Sequence, residues 1–247
     1  MTSDELVSRV CPTIGDLGAA FYFTPETLAR GKELGLDGFR FYFLGRGGVL
    51  GDVEPRVVQS AFGYFEGGLV AGMWHSAQER SGLSPREVGR LYVEASRDFG
   101  RSRFATLGGL DRFCSAAEEI VAGVDPAGLA LYAALSSEPL PDDVPARAMQ
   151  LVTVLRELRG SVHLLAVAAA GVSPLVAHYF RRPDDFAIFG YREDQTPELT
   201  DADRDAMKAA DAQTDRLMAA AFSILDPHGA EALAAGVEAM AAAVKAP

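Results

Sequence analysis

The sequence predicts an all-α protein, a multi-helix bundle. Helix-start signals recur along the chain, and apolar residues follow them at helical spacing. The one alternating stretch has no second strand to pair with. From the N-terminus, helices are expected at 4–10 and 14–21. Another is expected at 25–34, where Thr24-Pro25-Glu26 supplies a cap and a first-turn proline. The run Phe39-Arg40-Phe41-Tyr42-Phe43 alternates like a strand. A lone strand leaves its edges unpaired, so 37–46 reads as helix. Helices at 55–64 and 66–80 follow. Ser84-Pro85-Arg86-Glu87 is then a complete capping box for a helix over 85–99, with Val88, Leu91, Tyr92 and Ala95 along its apolar face. Further helices are expected at 109–122, 127–137 and 146–170. Ser173-Pro174 opens one at 174–180, and Thr200-Asp201-Ala202-Asp203 opens 201–225 with acids against the positive helix end. A last helix covers 228–245. Gly35, Gly100, Gly123 and Gly171 read as helix stops.

Organisation divides at Glu138-Pro139-Leu140-Pro141-Asp142-Asp143-Val144-Pro145, a proline-rich acidic crossing. It leaves an N-terminal helical domain at 1–138 and a C-terminal one at 146–247. A second irregular stretch runs from Arg181 to Pro197. The terminal helices are rich in alanine, as in Met218-Ala219-Ala220-Ala221 and Met240-Ala241-Ala242-Ala243. Small residues allow close helix packing, so a homodimer through 201–245 is expected.

Composition excludes several function classes. A chain of 247 residues with 49% hydrophobic and 23% charged residues is globular rather than disordered. Its net charge of −11 argues against a nucleic-acid or anionic-membrane partner. Cys11 and Cys114 cannot build a disulfide framework and suit a reducing compartment. The N-terminal residues lack a secretory pattern, and the apolar run Val162–Val172 is about half the length of a membrane span. A cytoplasmic location is expected.

Three segments carry a resemblance. They are Tyr22-Phe23-Thr24-Pro25-Glu26, Phe41-Tyr42-Phe43-Leu44-Gly45-Arg46-Gly47-Gly48-Val49-Leu50-Gly51, and Leu155-Arg156-Glu157-Leu158-Arg159-Gly160-Ser161-Val162-His163. With Asp211 to Leu217 they resemble a little-characterised actinobacterial family of helix-turn-helix proteins, distantly like the MarR winged-helix regulators. The resemblance implies a helix-turn-helix over His163–Ala170, Gly171-Val172 and Ser173–Phe180, followed by a wing. This chain departs from the pattern after Arg181, where the sequence is too broken and acidic for a recognition element. It also has Ser161 where the pattern has an Asp. The resemblance therefore implies a degenerate winged-helix-like C-terminal part. From Asp184 to Pro247 there are 13 acidic residues against five basic ones, which would repel phosphate.

The candidate site residues form two groups. Arg156, Arg159 and His163 fall on one helix face, with Glu157 on a neighbouring face. Guanidinium forks converging there with an imidazole could hold an anionic or carbonyl-bearing ligand, or could instead satisfy buried carboxylates. Arg46 closes the aromatic run before Gly47-Gly48, in a tight turn or a ligand-lining loop, the alternative being a solvated arginine at a helix end. Tyr22, Phe43, Trp74 and His75 would wall an apolar pocket, although a core tryptophan is the commoner outcome. No metal site is expected, since His75, His163, His178 and His228 make no i, i+4 pair and no CxxC exists. No cofactor motif is present. The leading reading is a small-molecule-binding protein on a regulator-like scaffold that has lost DNA binding. The alternatives are a DNA-binding regulator using the Ser173 helix with Arg181-Arg182, and a natural-product-modifying enzyme with His163 as base.

Overall fold

In a computed structural model, residues 1–245 are described. They form twelve α-helices, and no β-strand occurs among them. In chain order these are α1 (Ser3–Leu17), α2 (Pro25–Glu33), α3 (Gly38–Gly48), α4 (Pro55–Phe62), α5 (Gly67–Ser81) and α6 (Pro85–Phe104). They continue as α7 (Leu110–Gly123), α8 (Ala130–Ser136), α9 (Val144–Ala169), α10 (Pro174–Arg181), α11 (Asp201–Phe222) and α12 (Pro227–Lys245).

The caps are where the sequence puts them. Ser84 and Glu87 close a reciprocal capping box, and so do Thr200 and Asp203. Thr24 and Ser173 each accept a backbone N–H in the first turn of the helix they open. The aromatic run is helical, within α3.

Two expectations are corrected. The separate helices at 4–10 and 14–21 are one helix, α1, with Pro12 inside it. Proline removes only one backbone bond and here faces solvent, whereas Val7, Val10, Cys11, Ile14 and Leu17 keep one buried stripe through it. Gly100 does not stop α6, which runs on to Phe104. It is small because α9 lies against it: a Cβ there would sit 2.5 Å from the Pro145 carbonyl oxygen.

Helix α9 is the axis of the molecule. It is apolar around most of its circumference and is packed by α1, α6, α7, α8 and α11, as an all-round apolar helix requires. Helices α3 and α6 cross closely because Gly48 and Gly89 meet back to back. A Cβ on Gly48 would fall 2.1 Å from the Pro85 carbonyl oxygen, so no larger residue fits. The alanine-rich α11 and α12 bury Met218, Phe222, Leu233, Val237 and Met240 within this same core, against α1, α7 and α9.

At its C-terminal end α9 leaves the main core and enters a smaller apolar cluster of Ala166, Val167, Val172, Ala177, Met207 and Ala210. Four residues, 170–173, join α9 to α10, and the chain turns by 117°. Gly171 adopts φ +73°, and its N–H bonds to the Ala168 carbonyl while Val172 N–H bonds back to Val167. This Schellman closure needs a residue without a Cβ at the left-handed position. No single helix among the described residues is long and apolar enough to cross a membrane.

Candidate functional site

The centre of the main core is charged. Glu157, the one acid of α9, projects from it with its side chain 3% exposed. Arg46, from the last turn of α3, binds it with both prongs of its fork: Nε to Oε1 at 2.9 Å and Nη2 to Oε2 at 2.8 Å. Arg156 adds a third donor to Oε1 at 2.7 Å, and the Tyr22 hydroxyl a fourth at 3.2 Å. Arg46 also donates to the Tyr42 hydroxyl at 3.0 Å and lies over the Phe62 ring, while Arg156 lies over Tyr22. Burial would raise the Glu157 carboxyl, but the two guanidinium charges outweigh it and hold the group at about 2. The cluster contains two cations and a single carboxylate. Neither guanidinium meets another acid among the described residues.

A cavity adjoins this cluster, between α3, α6, α8 and α9. Its polar lining comes from Tyr22, Arg46, Tyr92, Ser96, Gln150, Thr153 and Glu157. Val49, Val93, Leu131 and Leu135 are apolar walls, the last two from α8. Its volume of about 20 Å³ has room for roughly one water. The Tyr92 hydroxyl is fully buried and has no hydrogen-bond partner. Its ring is fixed by Gly45, where a Cβ would lie 2.5 Å from the ring edge.

A second polar cluster lies one to two turns further along α9, where it meets α10 and α11. His163 Nδ1 is 2.9 Å from the Thr214 hydroxyl, which itself donates to the Ala210 carbonyl and so accepts from the ring. Desolvation lowers the His163 pKa, although Asp211, 4.0 Å away, opposes it. Arg181 of α10 pairs with Asp211. Arg159 is about one-third exposed and reaches only Asp215, at 3.9 Å. Its Nε and the nearby Tyr64 hydroxyl are buried without partners.

Beyond α10, residues 182–200 carry only two 3₁₀ turns, Pro183–Asp185 and Glu193–Gln195. Phe189 stacks between Phe65 and the buried His178 at 4.1 and 4.0 Å, and its carbonyl accepts the Glu66 N–H at 2.9 Å. The segment is thereby folded back onto the start of α5. A model described as a helix-turn-helix family matches residues 7–247, nearly the whole chain.

The chain belongs to that helix-turn-helix family.

No curated protein and no solved structure matches it. In this helix-turn-helix family protein α10 buries Ala177 and His178 and half-buries Leu175, Val176, Tyr179 and Phe180. Its exposed cation, Arg181, is already paired with an acid.

The residues singled out from sequence divide among three environments. Tyr22, Arg46 and Arg156 come together on Glu157. Arg159 and His163 face α11 instead, so the helix face they share with Arg156 serves two separate clusters. Phe43 and Trp74 are fully buried; Trp74 donates to the Val53 carbonyl at 3.2 Å and Phe43 packs on Phe62 and Phe65. His75, next to Trp74, points to solvent. Sequence reasoning left Glu157 at the margin, yet it is the acceptor on which the site is built. A lone acid between Leu155 and Leu158 in an apolar helix was the signal. Tyr42 and Tyr92 carried no such signal, since tyrosines at helical spacing read as core.

Proposed function

We propose that the protein binds a small molecule in its helical core and does not act on DNA. Its scaffold, on this reading, is distantly MarR-like, with the wing replaced by the folded-back segment 182–200, and it works in the cytoplasm. The observation that carries the reading is the excess of one positive charge around a buried carboxylate, Arg46 and the partly exposed Arg156 against Glu157, beside a cavity. Arg156 keeps about a quarter of its side chain in solvent, which screens part of the excess, and on the cavity side a ligand can supply the missing negative charge. A broad metabolite library should contain compounds that raise the melting temperature. A binder at 100 times its dissociation constant adds about 2.7 kcal/mol, readily seen in thermal unfolding. Silence across such a library would defeat the reading.

A second reading, a DNA-binding regulator, is favoured by family membership and by the 117° turn between α9 and α10. Against it stand an α10 that offers no amide to base edges, with Arg181 paired to Asp211 and, among the described residues, only the exposed Arg182 at its end unpaired, and an acidic flank. A mobility shift against genomic fragments decides between them. Salt-sensitive, sequence-specific retardation at sub-micromolar protein would establish the regulator, and its absence is expected.

A further inference from the structure

Resting on the ligand reading above, we infer that the cavity between α3, α6, α8 and α9 takes a monocarboxylate with an apolar body. Its head would be held by Tyr92 and Arg46, and its body covered by α8.

The charge count selects the head. Arg46 and Arg156 together face one carboxylate, so one further negative charge makes the cluster neutral. A dianionic phosphate would overshoot. The donor count agrees. Arg46 has five N–H groups, of which Nε, Nη1 and Nη2 are each seen donating once, which leaves two. Glu157 already accepts four hydrogen bonds, three at Oε1 and one at Oε2. The Tyr92 hydroxyl has a proton and no acceptor, in full burial, on the same cavity wall system as Arg46. Two Arg46 protons and one Tyr92 proton are a donor set for the two oxygens of a carboxylate. An ammonium head would meet the Arg46 guanidinium charge, and a neutral donor head would find only the Tyr92 oxygen unoccupied while leaving the spare Arg46 protons unmatched.

The walls select the body. Phe21, Val49, Val93, Leu131 and Leu135 offer aliphatic and aromatic surface, broken by Gln150, whose amide is bonded elsewhere, and by the Ser96 and Thr153 hydroxyls, which face each other at 3.4 Å. The present volume of about 20 Å³ holds one water, so a body enters only where a wall gives way. That wall is α8. It is seven residues long, has no side-chain cap at its start, and follows an exposed stretch that turns at Gly128 with φ +78°. Besides its leucines, a bond from the Tyr132 hydroxyl to the Val121 carbonyl at 3.2 Å fixes it to α7. Moving α8 outward withdraws Leu131 and Leu135 while α3, α6 and α9 keep the head groups in place.

The test is titration calorimetry and thermal unfolding of the full chain with octanoate, 1-octanol and octylammonium. Three proteins are compared: wild type, Tyr92→Phe and Leu135→Ala. Octanoate should bind wild type and raise its melting temperature, with the alcohol and the amine about tenfold weaker or silent. Tyr92→Phe should bind octanoate about tenfold more weakly, the worth of one hydrogen bond to a charged group. Its own melting temperature should be unchanged or higher, because an unpartnered buried hydroxyl is gone. Leu135→Ala, which widens the cavity at α8, should bind octanoate more tightly than wild type. Equal binding of all three probes, or undiminished octanoate binding by Tyr92→Phe, overturns the carboxylate assignment. Octanoate failing to bind both wild type and Leu135→Ala overturns it as well. If the metabolite library nonetheless yields a ligand of another class, only the carboxylate assignment falls. If the library is also silent, the ligand reading falls with it.

Discussion

Helix α9 carries two charged clusters within a few turns of each other, and they differ in the medium around them. At Glu157 the helix is enclosed by α3, α6 and the aromatic residues Tyr22, Tyr42 and Phe62. The ion pair there is bidentate, short and dry, and the carboxyl is held at about 2. At Arg159 and His163 the same helix faces α11 near the molecule's edge. The ion pairs that Arg159 and His163 make there are long, the acids are one-third to more than one-half exposed, and two buried donors have no partner. The same residue types thus make one cluster that is costly to break and one that is cheap to alter. Low dielectric strengthens a matched pair and punishes an unmatched charge, while solvent screens both effects.

The sharpest way to break this contrast is Glu157→Ala. It removes the carboxylate that both guanidiniums share, leaving Arg46 with only the Tyr42 hydroxyl in a largely buried setting, and should cost about 3–5 kcal/mol. For a chain of this size that is a fall of roughly 6–20 °C in melting temperature. A drop under about 2 °C in a thermal melt would mean that the core cluster is no more enclosed than the outer one.

Acid sharpens the contrast at the same residue. Because the folded pKa of Glu157 lies below its ordinary value of 4.5, the group stabilises the fold fully above about pH 4.5. That contribution drains away as pH falls toward about 2, and amounts to about 3 kcal/mol. Glu157→Gln lacks the titrating group. The stability gap between wild type and Glu157→Gln, read from urea unfolding, should therefore narrow from about pH 6 to about pH 3. A gap that stays constant would show that the carboxylate charge does not matter there.

The smallest effect is expected at Arg159→Ala. With a side chain one-third exposed and a partner at 3.9 Å, it should cost under about 1 kcal/mol. A loss as large as that of Glu157→Ala would mean that its buried Nε has a partner of real strength.

Much of the fold was legible in the residues. Capping boxes at Ser84 and Thr200, the Thr24 and Ser173 caps, and Gly171 at the turn are local devices. Each acts within about one helical turn, so neighbouring residues suffice to reveal it. The all-α class and the 170–173 turn follow from such signals, whereas the helix-turn-helix family was reached through the resemblance of whole segments. Where the local rule competed with packing, packing won: Pro12 stayed inside α1 and Gly100 inside α6, because a buried stripe or a crossing helix outweighed the residue's own preference. The site lay further out of reach. Glu157 and Arg46 are 111 residues apart, and nothing in either neighbourhood names the other. Sequence placed Arg156, Arg159 and His163 on one face correctly, because helical spacing is a property of one segment. It could not say that this face looks into dry core at one end and toward solvent at the other. That was decided by which helices pack against α9, since the worth of a charge is set by the dielectric its neighbours create.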